Sequence, residues 1–190
     1  MYIQQLYTGC LSEAAYYIES EGEAAIIDPL RETAPYTEIA NQRNAKIKYV
    51  FETHFHADFV SGHIDLAAKT GAKIIFGPDA HPAYKAVIAK ENEVFTIGKI
   101  KIKVLHTPGH TLESSCYLLF DENDKPNAIF TGDTLFVGDV GRPDLSQKSD
   151  LTKNDLAGMM YESLKKLKAL PNDVIVYPAH GAGSACGKNI

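Results

Sequence analysis

Cysteine is scarce and unpaired in this 190-residue chain. Cys10, Cys116 and Cys186 are odd in number, lie far apart and form no Cys-x-x-Cys pair. That excludes a disulfide framework and a thiolate-built zinc site, and it fits a reducing, cytoplasmic setting. Runs of basic residues are missing too. The 19 Lys and Arg are scattered among 24 Asp and Glu, for a net charge of −5, so there is no electrostatic footprint for nucleic acid or for an anionic membrane. No apolar stretch approaches the ~20 residues that cross a bilayer. Met1 leads into Tyr2-Ile3-Gln4-Gln5 without the basic and apolar regions of a secretion signal. Internal repeats, low-complexity tracts and Pro/Gly/Ser linkers are also absent. With 45% apolar residues, residues 1–190 read as one soluble, unsecreted domain with an adequate core.

What is present is an alternation of short strands and helices. Ala14 to Glu19 and Ala24 to Ile27 predict a hairpin around Glu21-Gly22, which Asp28-Pro29 stops. A helix is expected over Tyr36 to Asn44, a buried strand over Ile47 to Glu52, and a helix over Gly62 to Thr70 capped by Gly71. Strands are expected at Lys73 to Phe76, Glu93 to Ile97, Ile100 to Leu105, Ser115 to Phe120 and Ala128 to Phe130, with a weaker helix around Pro82 to Ala89. Ser149-Asp150-Leu151-Thr152 precedes a helix from Lys153 to Leu170, and Pro171-Asn172-Asp173 turns into a last strand, Val174 to Tyr177. Tyr16, Tyr17, Tyr117 and Tyr177 alternate with apolar neighbours, as on half-buried sheet faces. Such alternation favours an α/β architecture of sheet layers covered by helices.

The chemistry-bearing residues follow the strands. Thr53-His54-Phe55-His56-Ala57-Asp58 comes directly after Ile47 to Glu52, and residues two apart in an extended segment project to the same side. His54, His56 and Asp58 can therefore converge. Thr107-Pro108-Gly109-His110-Thr111, Thr131-Gly132-Asp133-Thr134 and Tyr177-Pro178-Ala179-His180-Gly181 repeat the theme of a Gly- or Pro-containing turn that bears an imidazole or a carboxylate. One such histidine is usually a turn or core residue; four such turns together point to a metal. Imidazole nitrogen with carboxylate oxygen suits Zn, Fe(II) or Mn, and a mixed set with open positions is what a catalytic site needs.

In this order, His-x-His-x-Asp, Pro-Gly-His, Thr-Gly-Asp and Pro-Ala-His resemble the metallo-β-lactamase superfamily over essentially the whole chain. Glu52-Thr53-His54-Phe55-His56-Ala57-Asp58 with Val60-Ser61-Gly62-His63, together with the stretch Gly132 to Leu145, resembles the persulfide dioxygenases more closely. That resemblance implies an αββα sandwich binding one non-haem Fe(II), which with O2 oxidises a low-molecular-weight thiol persulfide to sulfite. It puts the metal ligands at His54, His110 and Asp133, a facial triad of two histidines and one carboxylate. His56, Asp58 and His180 then hydrogen-bond water or orient the ligands. Binuclear hydrolases of the superfamily usually have a histidine directly after the motif aspartate, where this chain has Phe59, and this favours a single metal.

Two other readings remain. One is a zinc thioester hydrolase of the glyoxalase II type; the other is a non-catalytic metal-binding module. Arg142 is a further candidate, able to pair with a carboxylate ligand, grip an anionic substrate or form a plain surface ion pair. His63, His106 and His81 are expected to be structural, and Cys186 incidental. Relatives normally continue into another helix and, in the nearest kind, into rhodanese-like sulfurtransferase domains. The chain is therefore expected to be the N-terminal part of a longer one, lacking the C-terminal end of its sandwich. The apolar sheet surface this would leave bare implies self-association into a homo-oligomer.

Overall fold

The computed structural model describes residues 1–144 and 151–181. Six strands form the first sheet in sequence order: β1 (Tyr2–Thr8), β2 (Glu13–Ser20), β3 (Glu23–Ile27), β4 (Lys46–Glu52), β5 (Lys73–Phe76) and β6 (Val87–Ile88). β1 to β3 are antiparallel neighbours, and β3 to β6 run parallel. Parallel strands require crossovers, and α1 (Ala34–Gln42) and α2 (His63–Thr70) supply two of them. The second sheet has the order β11-β10-β9-β8-β7. Its strands are β7 (Val94–Ile97), β8 (Ile100–His106), β9 (Ser115–Phe120), β10 (Pro126–Gly132) and β11 (Ile175–Pro178), antiparallel except for the β10–β11 pair.

Period-two patterning sorts the apolar residues into layers. Tyr16, Ile18, Ile27 and Phe51 of the first sheet meet Ile102, Tyr117, Leu119 and Phe130 of the second in the central core. On the outer face of the first sheet, Tyr17 and Ile26 pack against Tyr36 and Ala40 of α1 and Leu66 of α2. On the outer face of the second, Leu105, Cys116 and Ile129 pack against Leu167 of α3 (Lys153–Lys168). The result is a two-sheet sandwich with helices outside, the αββα architecture expected from the sequence.

Three local expectations are corrected. Pro82 to Ala89 forms no helix: Val87–Ile88 instead adds to the edge of β5, and the Ala89 amide donates to the Phe76 carbonyl at 2.8 Å. Ladder pairing and burial of Ala89 override the local helix propensity. Strand β1 was not foreseen, because Ile3-Gln4-Gln5-Leu6 breaks the apolar alternation; pairing with β2 makes it a strand. Tyr16, Tyr17 and Tyr117 are fully buried instead of half-buried. Burial is tolerated because each hydroxyl has an acceptor: the Pro178 carbonyl, Glu19 and the Glu52 carbonyl respectively.

Candidate metal centre

Each site residue sits just past a strand, along one edge of the sandwich. β4 delivers the segment from Thr53 to Asp58, β8 the turn with His110, β10 Asp133, and β11 His180. The sheets are tied together there, since the Ser115 amide donates to the Thr53 carbonyl at 2.8 Å and the Tyr117 hydroxyl to the Glu52 carbonyl at 2.6 Å. Gly132, at φ +51°, brings β10 so close to β4 that a Cβ would lie 2.5 Å from Thr53 Oγ1. Gly109, at φ +148°, lets the His110 turn pass the backbone of Met160 on α3, and Ser163 Oγ donates to the Pro108 carbonyl at 2.8 Å. His180 is held by a bridge to Glu13, with the Gly181 amide donating to the Ser12 carbonyl at 2.8 Å.

These turns place ligating atoms of His54, His110 and Asp133 within 4.8 Å of one another. Asp133 Oδ2 lies 3.9 Å from His54 Nε2 and 3.4 Å from His110 Nε2. Its other oxygen, Oδ1, lies 3.4 Å from His180 Nε2, which is also 3.2 Å from Asp58 Oδ2. Asp133 thus stands between two groups of donors.

The surrounding bonds fix which ring nitrogen faces inward. Thr53 Oγ1 donates to Asp28 Oδ2 at 2.7 Å, so it accepts from His54 Nδ1 at 3.0 Å. His110 Nδ1 donates to the Arg142 carbonyl at 3.1 Å, and His180 Nδ1 to the Ser12 carbonyl at 3.3 Å. In all three rings Nε2 is left facing Asp133, the arrangement metal-ligating histidines adopt. Burial, reinforced by the neighbouring imidazoles of His56, His110 and His180, holds the pKa of His54 well below its usual value, so this ring is neutral and ready to ligate.

His56 is turned the other way. Its Nε2 lies 3.1 Å from Asp28 Oδ1 and 3.5 Å from Glu52 Oε2. Its Nδ1 is buried with no hydrogen-bond partner among the described residues, and its ring centroid is 4.3 Å from that of His54. A buried ring nitrogen beside a triad of neutral and anionic donors is a group that a divalent cation would satisfy on displacing its proton, so the residues fit a transition metal. Asp28, Glu52 and His56 also approach closely enough to hold an ion themselves. Their facing atoms, however, are already engaged with one another, with Thr53 and with Ser61, so this cluster supports the site.

Sequence reasoning passed over the acids beneath the site. In the sequence Asp28 marks only the end of a strand, whereas its side chain accepts from both the amide and the hydroxyl of Thr53. Its φ of +48° is the local sign of a specialised position. Burial opposes protonation of His56, but the charge and hydrogen bond of Asp28, with Glu52 behind, raise its pKa to about 9. Glu52 is pushed well above the usual carboxylate range by burial. Glu13, also buried, is pushed up to about 8 by burial and by Asp28. Burial opposes ionisation of Asp58 as well, yet its contact with His180 keeps its pKa below the ordinary value.

The other candidates are placed as follows. The Phe59 ring lies 4.3 Å from that of His56. The Arg142 guanidinium forks onto Asp144 at 3.1 and 2.8 Å, an ion pair open to solvent, while its carbonyl receives the His110 bond. His106 Nε2 donates to the Leu112 carbonyl at 2.8 Å. His63 joins Ser61 and Tyr84, and His81 is exposed. Cys116 is buried, which pushes its thiol up to about 11; Leu145, Ser149, Asp150 and Cys186 lie outside the described residues.

Two sheets in a helix-covered sandwich, with histidine and aspartate gathered at the strand ends of one edge, define a class of metal-dependent enzymes. The chain belongs to the metallo-β-lactamase superfamily, whose family model matches residues 8–180. It is 40% identical over 143 residues to a hydroxyacylglutathione hydrolase of Brucella anthropi, a match covering 73% of this chain and 49% of that protein. A metallo-β-lactamase from Staphylococcus aureus superposes with a TM-score of 0.89 at 40% identity, over 100% of this chain and 58% of that one. ETHE1 from Myxococcus xanthus does so at 0.84 and 29% identity, over 99% of this chain and 79% of that one. The chain thus spans about half the length of the curated relative.

Proposed function

We propose that this chain acts at the sulfur of a small thiol derivative, and that its reaction is the oxidation of a thiol persulfide by O2 at a single-metal centre held by His54, His110 and Asp133. The observation that carries this reading is Phe59. At the position where binuclear hydrolases usually have an imidazole, the chain sets a phenyl ring against His56, so the Asp58–His180 side has one nitrogen donor fewer. Fe(II) held by these residues would supply the redox chemistry that joins O2 to the persulfide sulfur. The balance is one persulfide, one O2 and one water giving thiol, sulfite and two protons. The chain's own task is positional: Asp133 would supply the carboxylate, while His180, in contact with Asp133 and Asp58, and His56, beside His54, would orient water and substrate. Rhodanese-like partners and the identity of the thiol carrier belong to this reading as well.

The second reading is zinc-dependent thioester hydrolysis, and the names of the curated relatives favour it over oxygenation. The placement of Asp58 and His180 on the far side of Asp133 supports it too, because these three residues could seat a second ion. Zinc has no redox chemistry, so metal dependence separates the two. Protein loaded anaerobically with Fe(II) and given a thiol persulfide should consume O2 and release sulfite, while zinc-loaded protein should not. Thioester turnover without O2 uptake would reject oxygenation and establish the hydrolase.

A further inference from the structure

Away from the metal-facing edge, Glu52 is the inner end of a hydrogen-bonded chain that the triad does not use. Ser61 Oγ donates to Glu52 Oε1 at 2.9 Å. Its single proton is thereby committed, so at 2.8 Å it accepts from His63 Nδ1. With Nδ1 carrying the proton, His63 Nε2 accepts a hydrogen bond from the Tyr84 hydroxyl at 2.7 Å. Every bond therefore points inward, from half-buried Tyr84 to fully buried Glu52. Glu52 Oε2 then faces His56 Nε2 at 3.5 Å, beside the 3.1 Å contact of Asp28.

We propose that Tyr84, His63, Ser61 and Glu52 are positioning residues for His56. Bonded in series, they clamp the Glu52 carboxyl group, which with Asp28 holds the His56 ring so that Nδ1 is presented to the metal centre. A carboxyl group with both oxygens engaged cannot rotate away, and a ring held at Nε2 between Asp28 and Glu52 has one orientation in which Nδ1 reaches inward. Outer hydrogen-bond partners of this kind typically alter metal affinity about 10- to 100-fold. The device serves oxygenation and hydrolysis equally, because it acts on the centre and not on the substrate.

The probe is Zn(II) alone, measured by competition with a chelator, alongside ring nitrogen NMR of the zinc-loaded protein. Ser61→Ala should weaken Zn(II) binding about tenfold or more and shift the ring signals of both His56 and His63. Ser61→Thr, which restores a hydroxyl, should recover most of the affinity. Tyr84→Phe, at the outer end, should move His63 toward the Nε2–H tautomer and weaken Zn(II) in the same direction by less, and it serves where Ser61→Ala fails to fold. Unchanged affinity and His56 signals in folded Ser61→Ala or Tyr84→Phe protein overturn the proposal, as does equal loss in Ser61→Thr. A wild-type chain that binds no Zn(II) overturns the metal centre itself and this inference with it.

Discussion

At the residue scale, function depends on which nitrogen or oxygen each side chain turns inward. His110 turns Nε2 toward Asp133 and anchors Nδ1 on a backbone carbonyl, so His110→Ala takes away a candidate ligand without disturbing a strand. Elemental analysis should find its metal content largely lost, while His81→Ala, at an exposed position, should match the wild type. Phe59→His adds a nitrogen beside Asp58 and should raise zinc content toward two ions per chain; unchanged stoichiometry would remove the main support for a single-metal site. Glu13 gives a pH signature. Its pKa rises on folding from an ordinary 4.5 to about 8, so the folded state keeps a proton that the unfolded chain releases. The stabilisation is complete below the lower value and is lost as pH rises through the upper one. Urea midpoints of metal-free protein should therefore decline across that window, and Glu13→Gln should flatten the decline.

At the scale of elements, the metal-bearing turns are held by neighbours distant in sequence. The His110 turn leans on α3, where Gly109 leaves no room for a Cβ against Met160 and Ser163 bonds the Pro108 carbonyl. Gly109→Ala should thus destabilise the fold by about 1–3 kcal/mol through overpacking and weaken metal binding, both read from a urea titration with and without zinc. Retained stability and affinity would show that α3 is not the support. The helix is itself well begun: Thr152 and Asp155 form a capping box. Thr-x-x-Asp before an apolar stripe made that start legible in the sequence, whereas the helix expected over Pro82 to Ala89 yielded to pairing with β5.

At the scale of the whole molecule, the centre straddles both sheets, with His54 and His56 following the first and His110, Asp133 and His180 the second. An ion bound there would staple the sandwich at one edge. Metal at about a thousand times its dissociation constant adds about 4 kcal/mol to stability, which for a chain of this size raises Tm by roughly 10 °C. Chelation should lower Tm by that amount and re-addition should restore it; a melt indifferent to chelator would place the ion elsewhere.

Strand periodicity and short motifs are local patterns that survive without coordinates, so the alternation of strands and helices, the four His- and Asp-bearing turns and, through them, the resemblance that implied the αββα sandwich were legible in the chain alone. The sequence did not reveal Glu13, Asp28 or Glu52 beneath the site, nor the place of His63 and Ser61 beside it. Those residues lie in ordinary-looking strand ends and turns, and their role depends on burial and on partners distant in sequence, as between His56 and Asp28 or Glu13 and His180. Only the tertiary structure decided which carboxylates lose their water, and hence which imidazole nitrogens are left to face a metal.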